Sequence, residues 1–236
     1  LETLNCDYQL IDTEEKRTKI IQKLLTSKIL SLDTETTGTE PMDAELVGMS
    51  FSIAENEAFY VPVPADQEEA LKIVNEFRPV FENENSLKVG QNIKYDMIVL
   101  QNYGVQVKGP LFDTMIAHYV LQPELRHGMD YLAEIYLRYQ TIHIDELIGP
   151  KGKNQKNMRD LAPKDVYRYA CEDADVTLKL KNVLEKELKE NDAERLFYDI
   201  EMPLVPVLVN IERNGVLLDT EALKQSSAHF TAQMEN

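Results

Sequence analysis

Residues 28–38 read Lys-Ile-Leu-Ser-Leu-Asp-Thr-Glu-Thr-Thr-Gly, a short apolar run that ends in two carboxylates, Asp33 and Glu35. Side chains alternate across a strand, so acids two positions apart share one face. Two like charges buried side by side are costly unless a cation neutralises them, and hard divalent ions take oxygen ligands of this kind. The stretch therefore reads as a buried strand with a metal-binding end. The plainer alternative is a strand-end turn in which Asp33 caps and Thr34, Thr36 and Gly38 form the loop.

Outward from this strand, residues 46–53 and 58–63 are rich in β-branched and aromatic side chains, and three strands in close succession predict an antiparallel meander. Residues 66–77 place Ala70, Leu71, Val74 and Phe77 at helical spacing, and a short strand at 87–89 stops at Gly90. That alternation predicts an α/β fold. Further helices are expected over 93–102, closed by Gly104, over 114–121, opened by Asp113 as N-cap, and over 131–137. Residues 150–160 carry Lys151, Lys153, Lys156 and Arg159 with no acid before Asp160 and read as a flexible basic loop. A long helix follows from 164 to about 191, its terminal run of charges a solvated face. After Asp192 an amphipathic helix carries Leu204, Leu208 and Ile211 on one stripe and stops at Asn214 and Gly215; Asp219 caps one more.

Composition narrows the class. A chain of 236 residues with 43% hydrophobic and 28% charged content, and no apolar window near the roughly 18 residues a membrane span needs, predicts a soluble globular protein. Cys6 and Cys171 cannot form a disulfide framework or a four-thiolate zinc site, which with the lack of a signal segment predicts a cytoplasmic setting. Forty-one acids against 25 bases give a net charge of −16, so any nucleic-acid contact must be local. The first residue is Leu1 and the last helical pattern is unfinished, so a piece of a longer protein is expected.

Two more acidic positions stand out. Asp96 follows Gly90-Gln-Asn92-Ile-Lys-Tyr95 and falls early in a helix, beside the apolar stripe of Ile93, Met97 and Leu100. Tyr169 and Asp173, four apart, share a face of the long helix, while Glu172 and Asp175 point elsewhere. Each has a bland reading, as a helix-start acid or a surface acid cluster. His118, His127 and His143 lack mutual metal-ligand spacing and read as structural.

Taken together, Asp-x-Glu on a strand, Asp early in a helix and Tyr-x-x-x-Asp on a late helix resemble the DnaQ-like (DEDD) 3′–5′ exonucleases, in their tyrosine-bearing DEDDy branch. Residues 89–96, 112–115, 149–155 and 169–178 are similar to the proofreading domains of the bacterial DNA polymerase I family (family A), and residues 200–208 and 211–215 resemble the start of that family's polymerase domain. The resemblance implies an RNase H-like α/β fold with a mixed central sheet flanked by helices. It divides the chain into an exonuclease domain, 1–195, and the start of a polymerase domain, 196–236. It implies hydrolysis of single-stranded or frayed DNA 3′ ends to nucleoside 5′-monophosphates. Two divalent ions, Mg²⁺ or Mn²⁺ with Zn²⁺ a further candidate, would be held by Asp33, Glu35, Asp96 and Asp173. Tyr169 would orient the attacking water, and Asn92 would steady the site or the terminal nucleotide. Lys151, Lys153, Lys156 and Arg159 would meet phosphates, with Arg126 a further candidate.

Expected partners are a DNA primer-template and the rest of a polymerase chain, in a cytosolic, nucleoid-associated monomer with no membrane contact. Three other functions remain beside this one. An RNA-trimming exonuclease of the RNase D type would share the acids, a catalytically silent nucleic-acid-binding domain would have broken ones, and a small-molecule phosphohydrolase would cleave isolated nucleotides.

Overall fold

The computed structural model describes residues 6–152 and 154–235. The chain enters on an edge strand, β1 (Asp7–Leu10), and a helix, α1 (Glu14–Leu25), whose N-cap Thr13 accepts the Lys16 amide. The predicted meander follows as β2 (Ile29–Thr36), β3 (Leu46–Ala54) and β4 (Glu57–Pro62), with β2–β3 and β3–β4 both antiparallel. Next come α2 (Gln67–Glu76), capped by Asp66, the short α3 (Arg78–Phe81), β5 (Leu87–Gly90), α4 (Ile93–Asn102), β6 (Leu111–Asp113) and α5 (Thr114–Leu121). The sheet order is β1-β4-β3-β2-β5-β6, and every pairing outside the meander is parallel. This is the mixed, helix-flanked sheet that the sequence predicts.

The second half is helical: α6 (Met129–Leu132), α7 (Ile144–Ile148), the 28-residue α8 (Pro163–Glu190), α9 (Glu194–Leu196), α10 (Met202–Asn214) and α11 (Thr220–Met234). Two π-helical turns, Ala133–Leu137 and Phe197–Glu201, interrupt the regular pattern. Helix α8 lies across the sheet and touches β1 through β5. Its path needs room on the strands. At Gly48, which pairs with Glu35, an added Cβ would come within 2.3 Å of the Tyr60 ring, so only glycine lets that aromatic side chain lie over the strand.

The main core gathers Leu30, Leu32, Met49, Phe51, Phe77, Phe81, Val89, Phe112 and Leu180 around the sheet. The expected domain division at 195/196 falls in a segment whose inward face, Phe197, Met202, Val205 and Val209, joins this core, with the Phe197 ring 4.8 Å from that of Phe112. On α10 the expected stripe residues Leu204 and Ile211 are exposed and Met202, Val205 and Val209 face inward. Pro206 stands within the helix, and Arg213 reaches across to the Ile98 carbonyl of α4. Helix α11 buries no residue. Among the described residues no helix is long and apolar enough to cross a membrane.

Candidate active site

The site begins where one strand outruns its neighbour. Strand β5 pairs with β2 only as far as Ser31, stopping at Gly90, so the outer edge of β2 beyond that point lacks a strand partner. The chain turns there into α4, and Asp96 on its first turn takes up the free edge: its Oδ1 accepts from the Thr34 amide at 2.9 Å and the Thr34 hydroxyl at 2.6 Å. The residue between Asp33 and Glu35 is thereby fastened to Asp96.

Helix α4 is itself fastened from below. Asp113, predicted as the N-cap of α5, accepts from the Met115 and Ile116 amides and also from Ile93 N–H at 2.8 Å and Asn92 N–H at 3.3 Å. One buried carboxylate thus starts two helices. Its burial raises the carboxyl pKa, and these backbone donors oppose the rise. Asn92 adopts the left-handed conformation, φ 62°, and makes no side-chain cap, because Asp113 performs that task; its side chain lines the cleft.

Three acids converge. Oxygens of Asp33, Glu35 and Asp173 lie within 4.8 Å of one another, with Glu35 and Asp173 buried and Asp33 partly open. Asp96 lines the same cleft, of about 840 Å³, outside this triplet. Burial pushes Asp33 up to about 7; burial together with the neighbouring carboxylates holds Glu35, Asp96 and Asp173 well above the usual range. No Lys or Arg pairs with any of the four among the described residues. Glu35 Oε1 is buried with no hydrogen-bond partner among the described residues. An orphaned carboxylate oxygen facing two further carboxylates is a donor set for a hard divalent cation, so the residues present fit the metal that the sequence implies.

Tyr169 stands one helical turn before Asp173 and faces its carboxylate; burial first, then that carboxylate, raises the phenol pKa, so the hydroxyl is a neutral donor. Glu172 and Asp175 turn away, as predicted. Glu172 accepts from the Tyr139 hydroxyl at 2.5 Å and the Ile142 amide at 2.6 Å, and Asp175 binds the Tyr8 hydroxyl, the Asn56 amide and Lys179. Both are structural ties of α8.

The basic segment divides. Lys151 and Lys156 line the cleft, and Lys153 lies outside the described residues. Arg159 does not face the cleft: it donates to the Val63 carbonyl at 2.5 Å and the Leu46 carbonyl at 2.6 Å, where the ends of β3 and β4 leave acceptors free. The expected phosphate contact is thus an internal clamp. The segment is also tied down rather than loose, since Lys156 N–H donates to the Ile148 carbonyl and Asn157 Nδ2 to the Thr37 carbonyl at 2.7 Å. Asn157 and Gln155 line the cleft without having been singled out in the sequence; only their place in the basic stretch marked them. Arg126 lines a neighbouring cleft instead. His118 and His127 meet through Nδ1 atoms 2.7 Å apart, and His143 pairs with Asp130 at 3.1 Å.

Comparison with known proteins gives the family and the fold. A family model described as 3′–5′ exonuclease matches residues 8–189. DNA polymerase I of Borreliella burgdorferi is 35% identical over 227 residues, and that of Pseudomonas aeruginosa 37% over 238. These matches cover 95% and 97% of this chain but 24% and 26% of the relatives, so the chain spans about a quarter of their length. Among solved structures, the POL domain of Pol1 from M. smegmatis, in complex with DNA primer-template and dNTP, superposes with a TM-score of 0.75 at 18% identity, covering 96% of this chain and 36% of that one. Brucella melitensis NrnC gives 0.69 at 18% identity, covering 90% and 95%, and the catalytic core of Trypanosoma brucei RRP6 gives 0.67 at 19%, covering 87% and 53%. At such identities these three speak for the fold alone.

Proposed function

The chain belongs to the 3′–5′ exonuclease family, and from that premise we propose that it removes nucleotides one at a time from single-stranded or frayed DNA 3′ ends, as the proofreading part of a longer DNA polymerase I. The observation that carries this reading is the convergence of Asp33, Glu35 and Asp173 around an unpartnered Glu35 oxygen in an open cleft.

The residues divide the work. Asp33, Glu35 and Asp173 would hold one divalent ion, with Asp96, steadied by Thr34, beside Asp33 at a second. Ions bound there supply a water ionised near neutral pH and a counter-charge for the leaving oxygen. Mg²⁺ or Mn²⁺ suits an all-carboxylate set, and Zn²⁺ is the further candidate. The neutral Tyr169 hydroxyl beside Asp173 orients the attacking water without removing its proton. Lys151 and Lys156 on the rim attract backbone phosphates locally, which the net charge of −16 does not do. Asn92, on the left-handed turn before α4, faces the cleft and would steady the terminal nucleotide.

The test is incubation with a 5′-labelled oligonucleotide carrying a 3′ overhang, in Mg²⁺ or Mn²⁺, with and without chelator, beside a matched RNA. The reading requires a metal-dependent ladder shortening from the 3′ end and release of nucleoside 5′-monophosphates. Intact substrate under all conditions refutes it, and faster degradation of RNA moves the assignment to an RNA-trimming enzyme.

A further inference from the structure

The match to the exonuclease family ends at residue 189 and α10 begins at Met202, yet α10 is built into the exonuclease side of the molecule. Its inward residues Met202, Val205 and Val209 lie in the main core with Phe197, whose ring packs on Phe112 of β6. Next to Phe112 is Asp113, the carboxylate that accepts the Ile93 and Asn92 amides and so starts α4. The start of α4 thus rests on this segment.

The far end of α4 rests on it too. Helix α4 secures neither end itself: Asn92 makes no side-chain cap, and the last turn holds no basic residue to meet the free carbonyls. Arg213, half-buried near the end of α10, takes that place. Its Nη1 donates to the Ile98 carbonyl at 3.2 Å and to Asn102 Oδ1 at 2.7 Å, and Asn102 Nδ2 donates in turn to the Pro41 carbonyl at 2.9 Å. The preceding residue, Glu212, pairs with Lys94 on the first turn of α4. Two successive side chains of α10 therefore hold opposite ends of one helix.

Between those ties stands Asp96, buried beside other carboxylates. An acid set among like charges gains by backing away from them, so a slip of α4 along its axis relieves the repulsion unless something blocks it. One residue of slip is about 1.5 Å, enough to take a carboxylate oxygen out of the range of about 2.0–2.6 Å at which hard divalent ions are held. We infer that α10 is a splint for the exonuclease site and that Arg213 is a positioning residue for Asp96, keeping α4 in axial register. This role rests on the exonuclease reading, since it concerns the ion assigned there to Asp96.

Mn²⁺ titrations followed by electron paramagnetic resonance, which reports free ion, test the splint without substrate. The variants are Arg213→Met, Arg213→Lys, Glu212→Gln, Asp96→Asn to mark which ion is which, and Arg195→Met as a control on α9, where the side chain is 93% exposed. Loss of a partner held directly by a metal ligand changes metal affinity by about 10- to 100-fold; Arg213 acts one step further off, so Arg213→Met should weaken the Asp96 ion by about 3- to 10-fold and leave the ion of Asp33, Glu35 and Asp173 within about twofold. Arg213→Lys, which keeps the charge without the planar fork, and Glu212→Gln, which frees Lys94, should fall between Arg213→Met and the parent. Arg195→Met should match the parent. Melting temperatures in chelator identify general loosening, which weakens both ions together. Equal weakening of both ions, a parent that takes up a single ion, or unchanged affinities in folded variants overturns the splint. The parent's metal-dependent degradation is read separately. If it is absent while the split between the two ions holds, the exonuclease reading falls and the splint stands; degradation without the split removes only the splint.

Discussion

Helices α8 and α11 are both long, but they are opposites in use. Over 28 residues α8 buries fourteen, five of them polar or charged: Glu172, Asp173, Asp175, Thr177 and Lys181. Over 15 residues α11 buries none, and its Leu223, Phe230 and Met234 are 56%, 61% and 86% exposed. Both form for local reasons, α8 with proline in its first turn and α11 with Asp219 accepting the Ala222 amide. The sheet makes the difference, because strands β1 to β5 remove one face of α8 from water and every polar side chain there must find a partner. Glu172, Asp175 and Lys181 have hydrogen-bonding partners, while Asp173, among the described residues, faces Tyr169 and other carboxylates. A buried acid set among like charges is where the proposed metal site falls.

The largest effect should come from Asp173. Changing it to Asn keeps the shape, removes a buried negative charge and spoils the divalent-ion site, so hydrolysis should fall by at least about 10³-fold. Metal-free thermal stability should hold or rise, since one repelling charge is gone; Asp33→Ala should lose the same activity. Single-turnover rates within tenfold of the parent would place the site elsewhere.

Next is a pair of phenylalanines that sharpens the contrast in burial. Phe197 packs on Phe112 with no exposed surface, so Phe197→Ala should cost about 3–5 kcal/mol in urea unfolding. Phe230→Ala on α11 should stay within about 0.5 kcal/mol. Equal costs would mean that α11 packs on the core as firmly as the segment before it. A smaller effect is expected at Tyr169, whose hydroxyl beside Asp173 would orient the water without ionising. Tyr169→Phe should slow turnover by about 10- to 10³-fold, less than any acid, with metal dependence kept. A changed melting temperature with an unchanged rate would make it a core tyrosine.

The sequence carried much of this because polar residues at the end of an apolar strand, and acids one turn from a tyrosine, are local patterns. Asp33, Glu35, Asp96, Tyr169 and Asp173 were each legible within a few residues, and the cleft they share came from their order along the chain. What stayed hidden depended on distant backbone. Arg159 looks like the other basic residues around it, and only the unpaired carbonyls of Val63 and Leu46 turn it inward. Asp113 reads as one helix cap, while its second role at Ile93 needs β5 and β6 side by side. The three-residue β6 is too short for any periodicity, and a π-helical turn has the composition of an α-helix. Arg138, which ends the first π-helical turn, has no local mark, since its left-handed backbone cannot be read from its neighbours.

The smallest effect is a dependence on pH that separates the acid cluster of α8 and β2 from the solvated α11. In the metal-free fold burial raises Asp33 to about 7, and burial with the neighbouring carboxylates holds Glu35, Asp96 and Asp173 well above the usual carboxylate range, whereas the unfolded chain loses these protons near pH 4. Above pH 4 and up to about 7 the folded state therefore holds more protons than the unfolded one, and stability falls as pH rises. Divalent ions bind the ionised acids and expel those protons, so their affinity should climb through the same window and the melting temperature gained from the ion should be larger at pH 8 than at pH 6. An ion at about 100 times its Kd contributes about 2.7 kcal/mol, and loss of one competing proton changes Kd by up to about tenfold per pH unit. Differential scanning fluorimetry with Mg²⁺ or Mn²⁺ against chelator, at pH 6, 7 and 8, reads the difference directly. Asp33→Asn should flatten it, and Asp219→Asn, at the exposed cap of α11, should leave it unchanged. An ion-dependent gain that is the same at all three pH values would mean that the cluster is already ionised in the free protein.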